Sequence, residues 1–184
     1  LSEVELTAAP SRARLIERLR PRLGELVHGL HLIAEGLLGA ESKIDFVGVE
    51  PTGRVVLILL GEPGEDLQLV GRALAQRAWV EPRVRDWIQL APDIAARPGA
   101  GVRVLLLCPD FCAQTEAAVA SLGNAVISLA RYRCLRNGAD LHLLFEAHPQ
   151  SPPAGPVEMV LPPFRTGLTD EDLGLTDEER SALE

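Results

Sequence analysis

Lysine is nearly absent from this chain: Lys43 stands alone against 17 arginines, a skew that reads as compositional bias rather than a signal of function. Cysteine is also sparse. Cys108, Cys112 and Cys134 are an odd set that cannot form a disulfide framework, which suits a reduced compartment. The run Cys108-Pro-Asp-Phe-Cys112 looks like half a metal site, but no second Cys/His pair stands at ligand spacing, and His28, His31, His142 and His148 are scattered. The cysteines therefore read as buried apolar thiols. Aromatic residues number seven, so the stacking platforms of single-strand binders are not evident. No apolar run approaches the roughly 18 to 20 residues of a membrane span, and no charged and apolar leader opens the sequence. The expectation is a chain away from membranes, in the cytoplasm. No Walker loop, GxSxG or dinucleotide fingerprint is present, so no enzyme class with those motifs is supported.

What is present is enough apolar material for one core: 47% of the 184 residues are hydrophobic and 24% charged, which excludes a wholly disordered chain. The net charge of −8 is unevenly spread. Residues 1–40 balance five acids with five arginines, residues 41–150 hold 13 acids and 11 bases, and residues 151–184 hold eight acids and two bases. A strongly acidic total argues against nucleic acid, which is bound by neutralising phosphates. Here the acid is concentrated in the tail, and the near-neutral body keeps such a partner open.

Residues 11–27 carry Leu15, Ile16, Leu19, Leu23 and Leu26 in an amphipathic helical pattern interrupted by Pro21. Residues 30–38 fit helix and strand alike. IDFVGVE at 44–50 and VVLILL at 55–60, joined by Pro-Thr-Gly, predict a hairpin. A helix follows from Asp66, with Leu67, Val70, Leu74 and Trp79 expected near one face, and a second helical piece spans 84–90. VRVLLLC at 102–108 suits a central strand covered on both faces. Residues 112–122 read as helix, and 125–132 and 141–145 as strands. This order predicts an α/β domain with a mixed sheet over residues 1–148. Prolines at 149, 152, 153, 156, 162 and 163 predict a linker, so residues 149–184 form a Pro-rich and acidic C-terminal segment. Within it, Thr176 and Glu179 have capping-box spacing for a short helix. Its acidity suits either a solvated tail or a segment that docks on a protein partner or on the chain's own Arg12–Arg22 region.

The segment KIDFVGVEPTGRVVLILLGE resembles the hairpin of the restriction-endonuclease-like, or PD-(D/E)xK, nucleases, especially the branches related to Holliday-junction resolvases and mismatch nucleases. The resemblance runs from about residue 11 to 146. It implies a mixed β-sheet flanked by helices. In that family an aspartate and a glutamate hold Mg²⁺, and a lysine two residues after the glutamate helps activate the attacking water. Asp45 falls on the family aspartate, whereas Leu59 and Gly61 fall on the glutamate and the lysine. Trp79 matches a tryptophan of the following helix, while Arg72, Ala75 and Gln76 stand where the family often has Gln and Arg-Tyr. VRVLLLCPDF and LARYRCL resemble the later strands. The resemblance thus implies a catalytically degenerate member in which Asp45 is vestigial and no cofactor is required.

The alternative is an active nuclease with relocated ligands. In that reading Asp45 and Glu62 bind Mg²⁺ or Mn²⁺ and Lys43 serves as the lysine, which requires a bulge at Gly61 to re-aim Glu62. Arg131, Arg133 and Arg136 are candidate nucleic-acid contacts, the first two on one strand face. Solvated strand-edge arginines are the plainer reading. The function expected is a nuclease-like scaffold that associates with nucleic acid or with protein, and a self-associating structural role through open sheet edges is the third possibility.

Overall fold

A computed structural model describes residues 4–137 and 140–147; the linker, the acidic tail and its capping box lie outside the described residues. The amphipathic N-terminal stretch forms α1 (Arg12–Leu19), a 3-10 turn (Arg20–Arg22) in which Pro21 redirects the chain, and the single turn α2 (Leu23–Leu26). Its apolar side, Leu15, Leu19 and Leu23, is buried. A short strand β1 (Val4–Thr7) precedes it; four residues are too few for a period to register in sequence. The ambiguous stretch resolves as strand β2 (His31–Leu38), and the hairpin is β3 (Lys43–Val49) with β4 (Val55–Leu60).

Helix α3 (Asp66–Val80) and helix α4 (Val84–Leu90) lead to β5 (Val102–Cys108). Helix α5 (Ala113–Leu122) then leads to β6 (Ile127–Asn137) and β7 (Asp140–Ala147). The seven strands form one mixed sheet in the order β1-β6-β5-β4-β3-β2, with β7 also pairing β6. β2, β3 and β4 are an antiparallel meander, β4, β5 and β6 run parallel, and β1 and β7 pair β6 antiparallel. This is the α/β mixed sheet flanked by helices that the sequence led us to expect.

Both parallel central strands are buried on two faces, as continuous apolar runs require. One face packs Val55, Leu57, Leu59, Val104 and Leu106 against α3, α4 and α5. The other packs Val56, Ile58, Leu60, Leu105 and Leu107 against α1 and α2. The face expected for α3 is corrected: Leu67 and Leu74 are exposed, and the buried side carries Leu69, Val70, Ala73, Gln76 and Val80. A buried glutamine hid this face from a purely apolar count. Gln76 donates to Ala40 O, Ser42 O and Ser42 Oγ at 2.7–3.0 Å and accepts from Ala40 N, tying α3 to the β2–β3 turn. No helix among the described residues is long and apolar enough to cross a membrane.

Candidate functional site

Asp45 lies near the start of β3 and is almost fully buried. The strand is irregular there: Ile44 and Val47 pack on the α3 side and Phe46 on the α1 side, so the two-residue alternation breaks between them. Backbone pairing of β3 with β4 begins only at Phe46 opposite Ile58. The Asp45 carboxylate takes over where that ladder stops, accepting the Leu60 N–H at 2.8 Å through Oδ2. From the first residue of α1, Arg12 Nη2 donates to both carboxylate oxygens at 2.7 and 2.8 Å and to Leu60 O at 3.2 Å. The acid side chain is 5% exposed and the arginine 38%, so the pair sits at the edge of the core with the guanidinium toward water.

The pairing of Phe46 with Ile58 leaves Leu59 next in line with Asp45, but the two side chains have different surroundings. Asp45 is bound from the α1 side. Leu59 is fully buried in the cluster on the α3 side, so it does not share a face with the aspartate's partners. Gly61 is walled in on that side too: a Cβ there would stand 2.4 Å from Cys108 Sγ and 2.9 Å from Leu69 Cδ2. A lysine has no room at that place. Glu62, by contrast, lines a hollow of about 400 Å³ together with Arg12, Leu60 and Tyr132. Strand β4 ends at Leu60, so Glu62 lies beyond the strand whose alternation the parity argument used. Lys43 is exposed at the edge of β3, opposite Leu38, and the groups bonded to Asp45 are Arg12 and Leu60.

These donors do not fit Mg²⁺. A hard dication wants several oxygen ligands with room for water, whereas both Asp45 oxygens are engaged by a guanidinium whose own positive charge opposes a second cation. No group of three or more His, Cys, Asp and Glu among the described residues could hold a metal.

The three arginines of β6 divide between the two faces of the sheet. Arg131 donates to Glu116 Oε1 at 2.8 Å, approaches Asp110 Oδ1 at 3.3 Å and lies over the Phe111 ring. Arg133, exposed on the same strand face, donates to Glu146 Oε1 at 3.1 Å. Both face carboxylates that would compete with a phosphate. Arg136 has the other parity, shared with buried Tyr132 and Cys134 of the α1 side, and it lines a hollow with Arg14.

Sequence reasoning missed two groups near the ends of the parallel strands. Asp66, at the start of α3, is buried and accepts from Thr115 Oγ at 2.6 Å and Cys112 N at 2.8 Å, tying α3 to the start of α5. Burial pushes its pKa up, but the bonds from Thr115 and Cys112 outweigh burial and leave it below the ordinary 3.8. Only its place as an acid at the head of an apolar helix hinted at this. Arg12 was the other, hidden among five arginines of one segment. The cysteines need one correction: Cys108 and Cys134 are buried, but Cys112 is exposed at the N-cap of α5. Burial pushes the Cys108 thiol up to about 12.

No protein-family model matches the chain, and no curated protein matches it. Among solved structures it is similar to a repair endonuclease from Pyrococcus abyssi, with 14% identity and a TM-score of 0.42 over 68% of this chain and 48% of that one. It is also similar to EndoMS in complex with double-stranded DNA, with 14% identity and a TM-score of 0.38 over 67% of this chain and 45% of that one. SfsA of Pyrococcus furiosus in complex with Ca²⁺ is a third, with 12% identity and a TM-score of 0.36 over 73% of this chain and 63% of that one. The chain thus spans about half the length of the first two.

Proposed function

We propose that this chain is a nuclease-like scaffold that has given up phosphodiester hydrolysis and works by associating with nucleic acid. The single observation that carries the reading is the Arg12 guanidinium on the Asp45 carboxylate. Hydrolysis of this class needs two or more carboxylates free to hold a cation and a basic group to position water. Here an internal cation is already bound to the aspartate, and apolar packing surrounds Leu59 and Gly61. The α1 side, with its excess of arginine over acid, supports association with a polyanion.

The test is a cleavage assay on single- and double-stranded DNA with Mg²⁺ or Mn²⁺, beside an Asp45→Ala variant prepared identically. We expect no cleavage by either protein. Cleavage by the parent that disappears in Asp45→Ala would overturn the reading and move attention to Asp45 and Glu62 as relocated ligands. Binding that ignores nucleic acid and depends on residues 149–184 would instead favour a protein-association scaffold.

A further inference from the structure

Three hollows on the α1 side of the sheet adjoin one another through shared lining residues. The one beside Arg12 and Glu62 shares residues 8–11 with a second, of about 670 Å³, walled by Arg14, Arg136 and Leu141. The second shares Leu141 with a third, of about 400 Å³, walled by Arg18, Arg22 and His142. Together they make a trough that follows the first helical segment from Arg12 to Arg22, with β6 and β7 as its other wall. Leu141 is placed at the junction because it pairs directly across from Arg136.

The charge of this trough is lopsided. Its described walls carry five arginines, and Glu62 at one end is the only acid among them. Two of the arginines are committed: Arg12 to Asp45, and Arg22 to Glu25 and the Leu143 carbonyl. Arg14, Arg18 and Arg136 are exposed and form no ion pair within 4.0 Å among the described residues. Glu5 lies across from Arg136 on β1 without closing on it. Helix α1 starts beside the shared segment with no acid in its first turn and no side-chain cap, so its positive end adds to the same field.

The form of the trough selects the ligand. Arg14 and Arg18 are one i,i+4 step apart, about 6 Å along the axis, comparable to two phosphates of a strand at about 3.4 Å each. Charge repeated along a line fits a polymer of phosphates better than one small phosphate ester, and Tyr132, the only Phe, Tyr or Trp on the described walls, is buried. We infer that this trough seats the sugar–phosphate backbone of a nucleic-acid strand, with Arg14, Arg18 and Arg136 as the phosphate contacts and no base readout. The inference rests on the nucleic-acid reading above and replaces Arg131 and Arg133 as the contact residues.

The test is fluorescence anisotropy of labelled 20-mer duplex and single-strand DNA with the full chain, from about 50 to 200 mM KCl. Arg14→Ala/Arg18→Ala/Arg136→Ala should weaken binding at least about tenfold and flatten the log–log salt slope by about 0.9 per lost duplex contact, or 0.7 on single strands. Arg131→Ala/Arg133→Ala should leave both nearly unchanged. If the triple variant fails to fold by circular dichroism, the three single variants are read instead, each flattening the slope by one contact. Parent protein that binds neither DNA form overturns the nucleic-acid reading together with this inference. Parent binding that survives intact in the arginine variants overturns the trough alone. Poly-glutamate bound more tightly than DNA, with the same arginine dependence, assigns the trough to an acidic polypeptide and also overturns the inference.

Discussion

A buried carboxylate without a counter-charge is among the costliest groups a fold can hold, and Asp45 is kept inside by one arginine and one backbone N–H. Arg12→Ala should therefore lower stability by about 2 to 3 kcal/mol in urea denaturation, less than for a wholly buried pair because the guanidinium is partly hydrated. Asp45→Asn, which keeps an acceptor for Leu60 N–H, should cost less than Asp45→Ala; equal losses would mean that this hydrogen bond contributes nothing. Gln76 gives a second residue-level test. A Cβ on Gly39 would lie 1.9 Å from Gln76 Oε1, so Gly39→Ala must displace the side chain that satisfies Ala40 and Ser42. Gln76→Ala alone should cost about 3 kcal/mol through unpaired backbone groups and a cavity. In the Gln76→Ala background Gly39→Ala should be much milder, and strict additivity in the double-mutant cycle would refute the coupling.

At the scale of elements, the end of β4 decides what chemistry the hairpin can host. The Leu59→Glu and Gly61→Lys pair, which would supply the glutamate and lysine that a nuclease-like hairpin carries at these positions, should not create a Mn²⁺ site. It buries one charge among Leu69 and its neighbours and drives another side chain into Cys108. The outcome we expect is an unfolded or strongly destabilised protein by circular dichroism, whereas a folded variant with calorimetric Mn²⁺ binding would overturn it. The hairpin itself was legible from two β-rich runs around Pro-Thr-Gly. Which residues share a face with Asp45 was not, because that depends on where the alternation breaks between Ile44 and Val47. The tie between α3 and α5 has a pH signature. Asp66 titrates lower folded than unfolded, so its contribution is complete above the unfolded value and is lost as pH falls through the folded one, below about pH 4. Thr115→Val removes a donor; it should lower stability at neutral pH and make the acid-induced loss shallower, as read by denaturant melts from pH 6 to about pH 2. An unchanged acid limb would show that Asp66 does not carry it.

Across the described residues, the central strands of the sheet are covered on both faces, and the thiols report on that cover. Cys108 and Cys134 lie within it and Cys112 outside. Iodoacetamide at neutral pH should label Cys112 alone by mass spectrometry, with the other two reacting only once denaturant opens the sheet; labelling of Cys108 under native conditions would show a looser core than this packing describes.

Local pattern was enough for most of the architecture, since apolar periodicity and turn residues act over a few neighbours: the amphipathic first helix, the hairpin, the doubly covered strands and the mixed α/β class follow from the amino acids in order. The expectation that Leu59 and Gly61 stand where a nuclease-like hairpin would carry glutamate and lysine also comes from the order of residues alone. Tertiary structure alone brought Arg12 to Asp45 across 33 residues, split the β6 arginines between acids on one face and the trough on the other, and buried Gln76 and Asp66 as ties. Each of these depends on which groups meet across the sheet, and such pairings arise from distant segments packing together, so no local run of residues records them.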